Sequence, residues 1–328
     1  MNLSVQVLPT FFNHATENPF AGLIIGIVVT SIAQSSSMTT SIAVAMVCAG
    51  TISLENAVPI IMGANIGTTV TNTIVSFAYV NRRVEFEPSF GASIVHDMFN
   101  IYATAIFFPL EITTGFLHKS ASALTEVFKT AGGFEIVSPL NFILKPISVF
   151  FMHLINNNIV LIILALVLLF FALSQIVKSM KGMIIKKVEA ILNQYLFRNT
   201  FISLLLGLVL TATIQSSSIT TSIIIPLVAA GVLTIEQIFP YTLGANIGTT
   251  VTAILAALAI GKEAGLAIAF AHMLFNIFGT TVFLPLRIVP IATAKFIAKF
   301  AAVSKKNFFI FLTIYILLHT ALIIFIFI

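Results

Sequence analysis

Gly63-Ala64-Asn65-Ile66-Gly67-Thr68-Thr69-Val70-Thr71 returns unchanged as Gly244-Ala245-Asn246-Ile247-Gly248-Thr249-Thr250-Val251-Thr252, 181 residues further along the chain. The same offset relates Gln34-Ser35-Ser36-Ser37 to Gln215-Ser216-Ser217-Ser218, and Gly50, Glu55 and Pro59 to Gly231, Glu236 and Pro240. Beyond these, His96, Phe99, Asn100 and Pro109 match His272, Phe275, Asn276 and Pro285 at an offset of 176. Nine identical residues in register with several further matches identify an internal duplication.

What surrounds the strings decides the fold class. The chain has 328 residues, 59% apolar and 8% charged, whereas a soluble protein carries about a quarter charged residues. Apolar runs such as 159–173 and 308–328 suit helices in lipid, where a crossing takes roughly 20 apolar residues. A barrel is excluded because its strands alternate polar and apolar side chains. The sequence therefore predicts an all-α polytopic membrane protein.

Each half follows one plan. Two apolar arms of about 14 residues flank the QSSS string, and at 1.5 Å per residue each reaches only about 21 Å, short of a crossing. Residues 20–50 and 201–231 are thus expected as re-entrant hairpins. Residues 54–78 and 234–260 follow, long enough to span but carrying GANIG, whose glycines and Asn weaken a helix; each is expected as a broken helix. Spans are expected at 90–116 and 147–177 in the first half and at 264–286 and 308–328 in the second, with 288–303 a further apolar stretch. The repeats run 1–177 and 201–328, joined by a basic connector at 178–200. Three crossings separate matched elements, so the second repeat should be inverted. That topology puts twelve of sixteen Lys and Arg on one side, which the positive-inside rule makes cytoplasmic; both termini are expected outside.

Other classes fall away. A single cysteine, Cys48, allows no internal disulfide and no cysteine-built metal site. The net charge of +5 lies in short clusters between apolar segments, which orient a membrane protein in its bilayer and do not indicate nucleic acid. Residues 1–13 show no basic region ahead of an apolar one, so no signal peptide is expected. No Gly-rich P-loop is present, so no cofactor is expected, and transport would run on an ion gradient. Hydroxyls, amides and free N–H groups at the polar breaks suit an oxyanion, and carbonyl and side-chain oxygens suit Na+.

The doubled QSSS, the two GANIGTT strings and His96-Asp97-Met98-Phe99-Asn100 resemble the type II sodium–phosphate cotransporter family, from about Asn18 to Phe309. The resemblance implies that inorganic phosphate binds between the two tips, which makes Gln34, Ser35, Ser36, Ser37, Gln215, Ser216, Ser217 and Ser218 candidates, with Asn65 and Asn246 beside them. It carries a sodium site onto Gln215, Ser216, Thr249 and Thr252, and a further one onto Asp97 and Asn100. Thr68 and Thr71 are also sodium candidates. Members with Asp at the position of Asp97 move net charge, so electrogenic transport with Na+ as coupling ion is implied. The chain departs from animal members at Ala245, where they often have Ser, and in the short loop at 117–146.

Each candidate has a plainer reading. Asn65 and Asn246 could terminate helices, and Thr68, Thr69, Thr249 and Thr250 could cap them. Asp97, the sole Asp in the chain, could instead pair with His96 near the interface, whereas an acid inside a membrane is functional by default. His96 and His272 fit structural hydrogen bonds, and Glu55 and Glu236 complement helix dipoles. The rivals to phosphate transport are the same fold carrying arsenate or sulfate, an anion channel, and a serine hydrolase using His96 or His272.

Overall fold

The computed structural model describes residues 17–132 and 199–320, together with isolated residues between 150 and 171. The span expected at 147–177 is therefore described only at isolated residues, and nearly all of the connector at 178–200 lies outside the described residues, as do 1–13 and 321–328. Every regular element among the described residues is helical.

Helix α1 (Pro19–Ala33) opens on Asn18, whose side chain accepts the Phe20 N–H. Pro19 fits the first turn, where no intrahelical N–H is lost. After Gln34 and Ser35, α2 (Ser36–Ala49) runs to Gly50, whose φ of 72° stops it. Next come α3 (Leu54–Gly67), α4 (Val70–Ser76) with a short 3-10 turn (Phe77–Tyr79), and the long α5 (Arg83–Thr114). Gly115, at φ 67°, turns the chain into α6 (Phe116–Thr130). The buried Glu111 carboxylate secures that turn by accepting from the Leu117 N–H at 2.6 Å and pairing with His118 Nδ1 at 2.7 Å.

The second half supplies α7 (Thr200–Ile214), α8 (Ser217–Ser222), α9 (Ile225–Ala229), α10 (Ile235–Ile260), α11 (Glu263–Phe283), α12 (Ile288–Val303) and α13 (Lys305–Thr320). Residues 54–79, α10 and α11 are long and apolar enough to cross a membrane. The arm that is the continuous α2 in the first half is divided in the second between α8 and α9. Pro226 explains this, because it has no N–H to give the Ser222 carbonyl.

Packing repeats with the sequence. Helix α1 lies against α3, and α7 lies against α10, in the two most extensive helix contacts among the described residues. Both depend on missing side chains: a Cβ on Gly63 would overlap the Leu23 carbonyl, and one on Gly244 would overlap the Leu204 carbonyl. Inside each hairpin a threonine pair ties the arms, Thr30 to Thr39 at 2.8 Å and Thr211 to Thr220 at 2.7 Å.

These contacts correct the expectation of broken helices. The second GANIG lies inside the uninterrupted α10, and the first is helical through Gly67. The interruption in the first half comes after the motif, at Thr68–Thr69, and keeps right-handed helical angles. Glycine was expected to weaken the helix; here it lets two backbones approach closely, and the packing gained holds the helix intact.

An aromatic seam joins α5 to its neighbours through Phe99–Phe239, Phe99–Phe283 and Phe107–Phe275. Phe90 meets Phe311 edge-on at 4.9 Å. That contact lays α13 along α5 and carries Tyr315 to the level of Asp97.

Candidate functional site

The site begins at two left-handed residues. Gln34 (φ 52°) and Gln215 (φ 58°) are the only non-glycine residues with positive φ among those described. Each ends one hairpin arm, and the serine after it caps the next: Ser35 accepts the Met38 N–H, and Ser216 accepts the Ile219 N–H. Both QSSS strings therefore form tight polar tips with their third and fourth residues buried at a helix start.

The tips meet. Ser37 Oγ donates to the main-chain oxygen of Gln215 at 3.0 Å, and Ser218 Oγ donates to that of Thr68 at 3.3 Å. The Thr68 hydroxyl lies 3.2 Å from Ser36 Oγ and 3.3 Å from Ser218 Oγ. One turn beyond, Asn72 Nδ2 donates to Thr221 Oγ1 at 2.9 Å and Asn72 Oδ1 accepts from Ser222 Oγ at 2.9 Å. Every bond between the halves here is neutral, and all are largely shielded from solvent.

Behind the tips lies a chain of imidazole and amides. His96 Nδ1 faces Asn72 Nδ2 at 3.1 Å, and His96 Nε2 faces Asn246 Oδ1 at 2.7 Å. These contacts fix a neutral ring accepting at Nδ1 and donating at Nε2. Asn246 Nδ2 donates to Asn100 Oδ1 at 2.7 Å, and Asn100 Nδ2 donates to the Asn65 main-chain oxygen at 2.7 Å.

Asp97, 1% exposed, occupies a pocket of hydroxyls. Thr69 donates to its carboxylate, and Thr73 and Tyr315 hydroxyls each lie 3.4 Å from a carboxylate oxygen. No Lys or Arg is buried among the described residues, and none forms an ion pair with Asp97. A buried carboxylate surrounded only by neutral oxygens is an arrangement that a monovalent cation would complete.

The structure thus brings together Ser36, Ser37, Ser218, Thr68 and the backbone of Gln215, and places Asn65, Asn100, Asn246 and Asp97 beside them. Ser35 and Ser216 are engaged as caps, Ser217 accepts through its carbonyl from Thr220 and Thr221, and Gln34 is exposed. Thr249 donates back to Ala245 at 3.0 Å, and the buried hydroxyls of Thr71 and Thr252 have no hydrogen-bond partner. No hydrogen bond links the side chains of Gln215 or Ser216 to Thr249 or Thr252 among the described residues. No serine of the tips pairs with His96 or His272 either, so the nucleophile–base contact a serine hydrolase needs is not formed among them.

The family described as Na+/Pi-cotransporter matches the chain twice, over residues 1–176 and 168–288. The chain belongs to this family. A Na+/Pi-cotransporter is a transporter and not an enzyme, and the long apolar helices fit a multi-pass membrane protein. The chain is 33% identical to sodium-dependent phosphate transport protein 2A of Ovis aries, over 88% of this chain and 57% of that protein. It is 32% identical to protein 2A of Rattus norvegicus, over 95% of this chain and 61% of that one. It is 31% identical to protein 2B of Homo sapiens, over 89% and 57% respectively. The chain therefore spans only 57–61% of the length of these relatives. No solved structure matches it significantly.

Asn72, Thr73, Thr221, Ser222 and Tyr315 also belong to the site, though the sequence alone did not single them out. Asn72 and Thr73 lie one helical turn past Thr68 and Thr69, and Thr221 and Ser222 one turn past Ser217 and Ser218, where a helix returns its side chains to the same face. Tyr315 was detectable as the one phenol in the apolar run 308–328.

Proposed function

We propose that this chain couples inward sodium flow to the uptake of inorganic phosphate by alternating access. The supporting observation is the meeting of the two QSSS tips across the halves, through Ser37 with Gln215 and Ser218 with Thr68. Hydroxyl and amide donors from both halves converge there, where a phosphate oxygen could accept them. With no buried Lys or Arg among the described residues, a phosphate dianion would need co-bound sodium ions to offset its charge. Asp97, with Thr69, Thr73 and Asn100 near it, holds one sodium in this reading, and Gln215, Ser216, Thr249 and Thr252 hold another. A sodium held at Asp97 beyond those that offset the phosphate dianion makes the cycle electrogenic. The names of the similar 2A and 2B proteins support the choice of phosphate and sodium.

The same reading takes the two halves as inverted repeats at 1–177 and 201–328 around a cytoplasmic connector, with both ends of this chain outside. The hairpins then enter from opposite faces, and one face opens as the other closes.

The test is uptake of labelled phosphate into proteoliposomes under sodium, lithium or choline gradients, with unlabelled sulfate and arsenate as competitors. Uptake is expected only with the sodium gradient, and sulfate should not compete. Gln215→Ala should abolish it. Uptake that ignores the sodium gradient would overturn the coupling, and competition by sulfate would overturn the choice of anion.

A further inference from the structure

The repeat that organises the sequence is not honoured equally by the hydrogen bonds. Around Asn246 the bonds form a complete chain: His96 Nε2 to Asn246 Oδ1, Asn246 Nδ2 to Asn100 Oδ1, and Asn100 Nδ2 to the Asn65 carbonyl. The repeat exchanges His96 for His272, Asn100 for Asn276 and Asn246 for Asn65. The exchanged chain would therefore run from His272 to Asn65, from Asn65 to Asn276, and from Asn276 to the Asn246 carbonyl.

None of those three bonds is present. Both ring nitrogens of His272 and the Oδ1 of Asn276 are buried without a hydrogen-bond partner, although both residues are 0% exposed. Asn65 Nδ2 turns back to the Ile61 carbonyl at 2.9 Å, and Asn276 Nδ2 turns back to the His272 carbonyl at 3.0 Å. Each amide is satisfied only within its own helix, so either can swing without breaking a contact between helices. Leaving buried polar atoms unpaired is costly, and the exchanged chain would give both a His272 nitrogen and Asn276 Oδ1 a partner on Asn65. Helices α11 and α3, which carry His272 and Asn65, are already packed against each other.

We propose that His272 and Asn276 are positioning residues for Asn65. In the opposite-facing state they close around Asn65 the chain that His96 and Asn100 close around Asn246 here, while the first chain opens. This inference rests on the alternating-access reading. It adds the pair of interchangeable polar clasps that hold the two end states, one half closed and the other open at any time.

The test uses the full chain in lipid nanodiscs with nitrogen-labelled histidine, whose ring signals report hydrogen bonding at each nitrogen. His272 should show two populations, one bonded. His96→Leu, which removes the clasp closed here, should raise the bonded fraction, and Asn65→Ala should abolish it. A single unbonded His272 signal, indifferent to both substitutions, would overturn the proposal. A merely structural His272 would not respond to a change at His96. In phosphate uptake, His272→Leu and Asn65→Ala should each cost about tenfold, the scale of one lost buried hydrogen bond, and the double variant should lose no more than either. A double loss near the product, about a hundredfold, would also count against it. His272→Gln, which keeps a donor and an acceptor, should restore most of the uptake and separates loss of the clasp from failure to fold. If the wild-type chain takes up no phosphate, the functional reading fails, while the ring signals still decide the clasp.

Discussion

Asp97 gathers most of the chemistry available to a single residue in this chain. It is buried at the level of both GANIG strings, and the groups facing it are the hydroxyls of Thr69, Thr73 and Tyr315. Hydroxyls can donate to a carboxylate but cannot cancel its charge, so a cation is the natural complement. If that cation is a coupling sodium, removing the carboxylate removes one charge from the transported set. Asp97→Gly should therefore keep sodium-dependent phosphate uptake but lose the phosphate-evoked current, measured on a solid-supported membrane. Undiminished current in that variant would remove Asp97 from the coupling. Asp97 stood out in the sequence, because one acid inside a long apolar stretch is costly. Its threonine partners were half legible, through Thr69 in the repeated string. Tyr315 was not, because it arrives from α13, 218 residues downstream, and the aromatic contacts Phe86–Phe308 and Phe90–Phe311 set its height.

At the scale of the element, the informative residues are glycines that pack instead of bending. Gly63 on α3 and Gly244 on α10 each press a bare Cα against a carbonyl of the neighbouring hairpin arm. A carbonyl in a helix cannot withdraw by more than a few tenths of an ångström without disturbing its own hydrogen bond. Gly63→Ala and Gly244→Ala should each cost about 1–3 kcal/mol by overpacking, read as a drop of several degrees in Tm in detergent. If either variant is as stable as the wild type, the close approach is not carrying the pair. The sequence displayed these glycines plainly, yet their meaning was ambiguous: the same residue that loosens an isolated helix permits the tightest helix contact. Only the partner backbone, α1 or α7, resolves which effect wins, and that partner is not local in sequence. Pro226 was the reverse case, since its missing N–H alone accounts for the α8–α9 division.

For the molecule as a whole, the duplication made the fold class and the two tips readable, since repeated polar strings in apolar surroundings cannot be accidental. What it could not show was that the halves share their polar bonds unequally. Exact repetition of residues says nothing about which of two equivalent contacts is made at a given moment. The proposed orientation rests on the placement of basic residues, and it can be checked directly. In a Cys48→Ala background, a cysteine placed next to residue 1 or residue 328 should react with a membrane-impermeant maleimide added outside intact cells. One placed at Ser179, within the connector, should react only after the cells are opened. Reaction of the connector from outside would invert the proposed topology.

The bonds that join the two tips also set a timetable. Thr68, Asn72 and His96 find their partners at Ser218, Thr221 and Asn246, 149 or 150 residues later in the chain. At about 5–20 residues per second of synthesis, the first half would wait roughly seven to thirty seconds with its polar groups unanswered. It must be tolerated in that interval by the insertion machinery or by water, because lipid offers no partners. Expressed alone, residues 1–177 should be short-lived in a pulse-chase experiment, and co-expressing residues 178–328 as a separate chain should lengthen their life. Equal lifetimes would mean that the first half is content without the second. The site can thus be completed only once the second tip has been made.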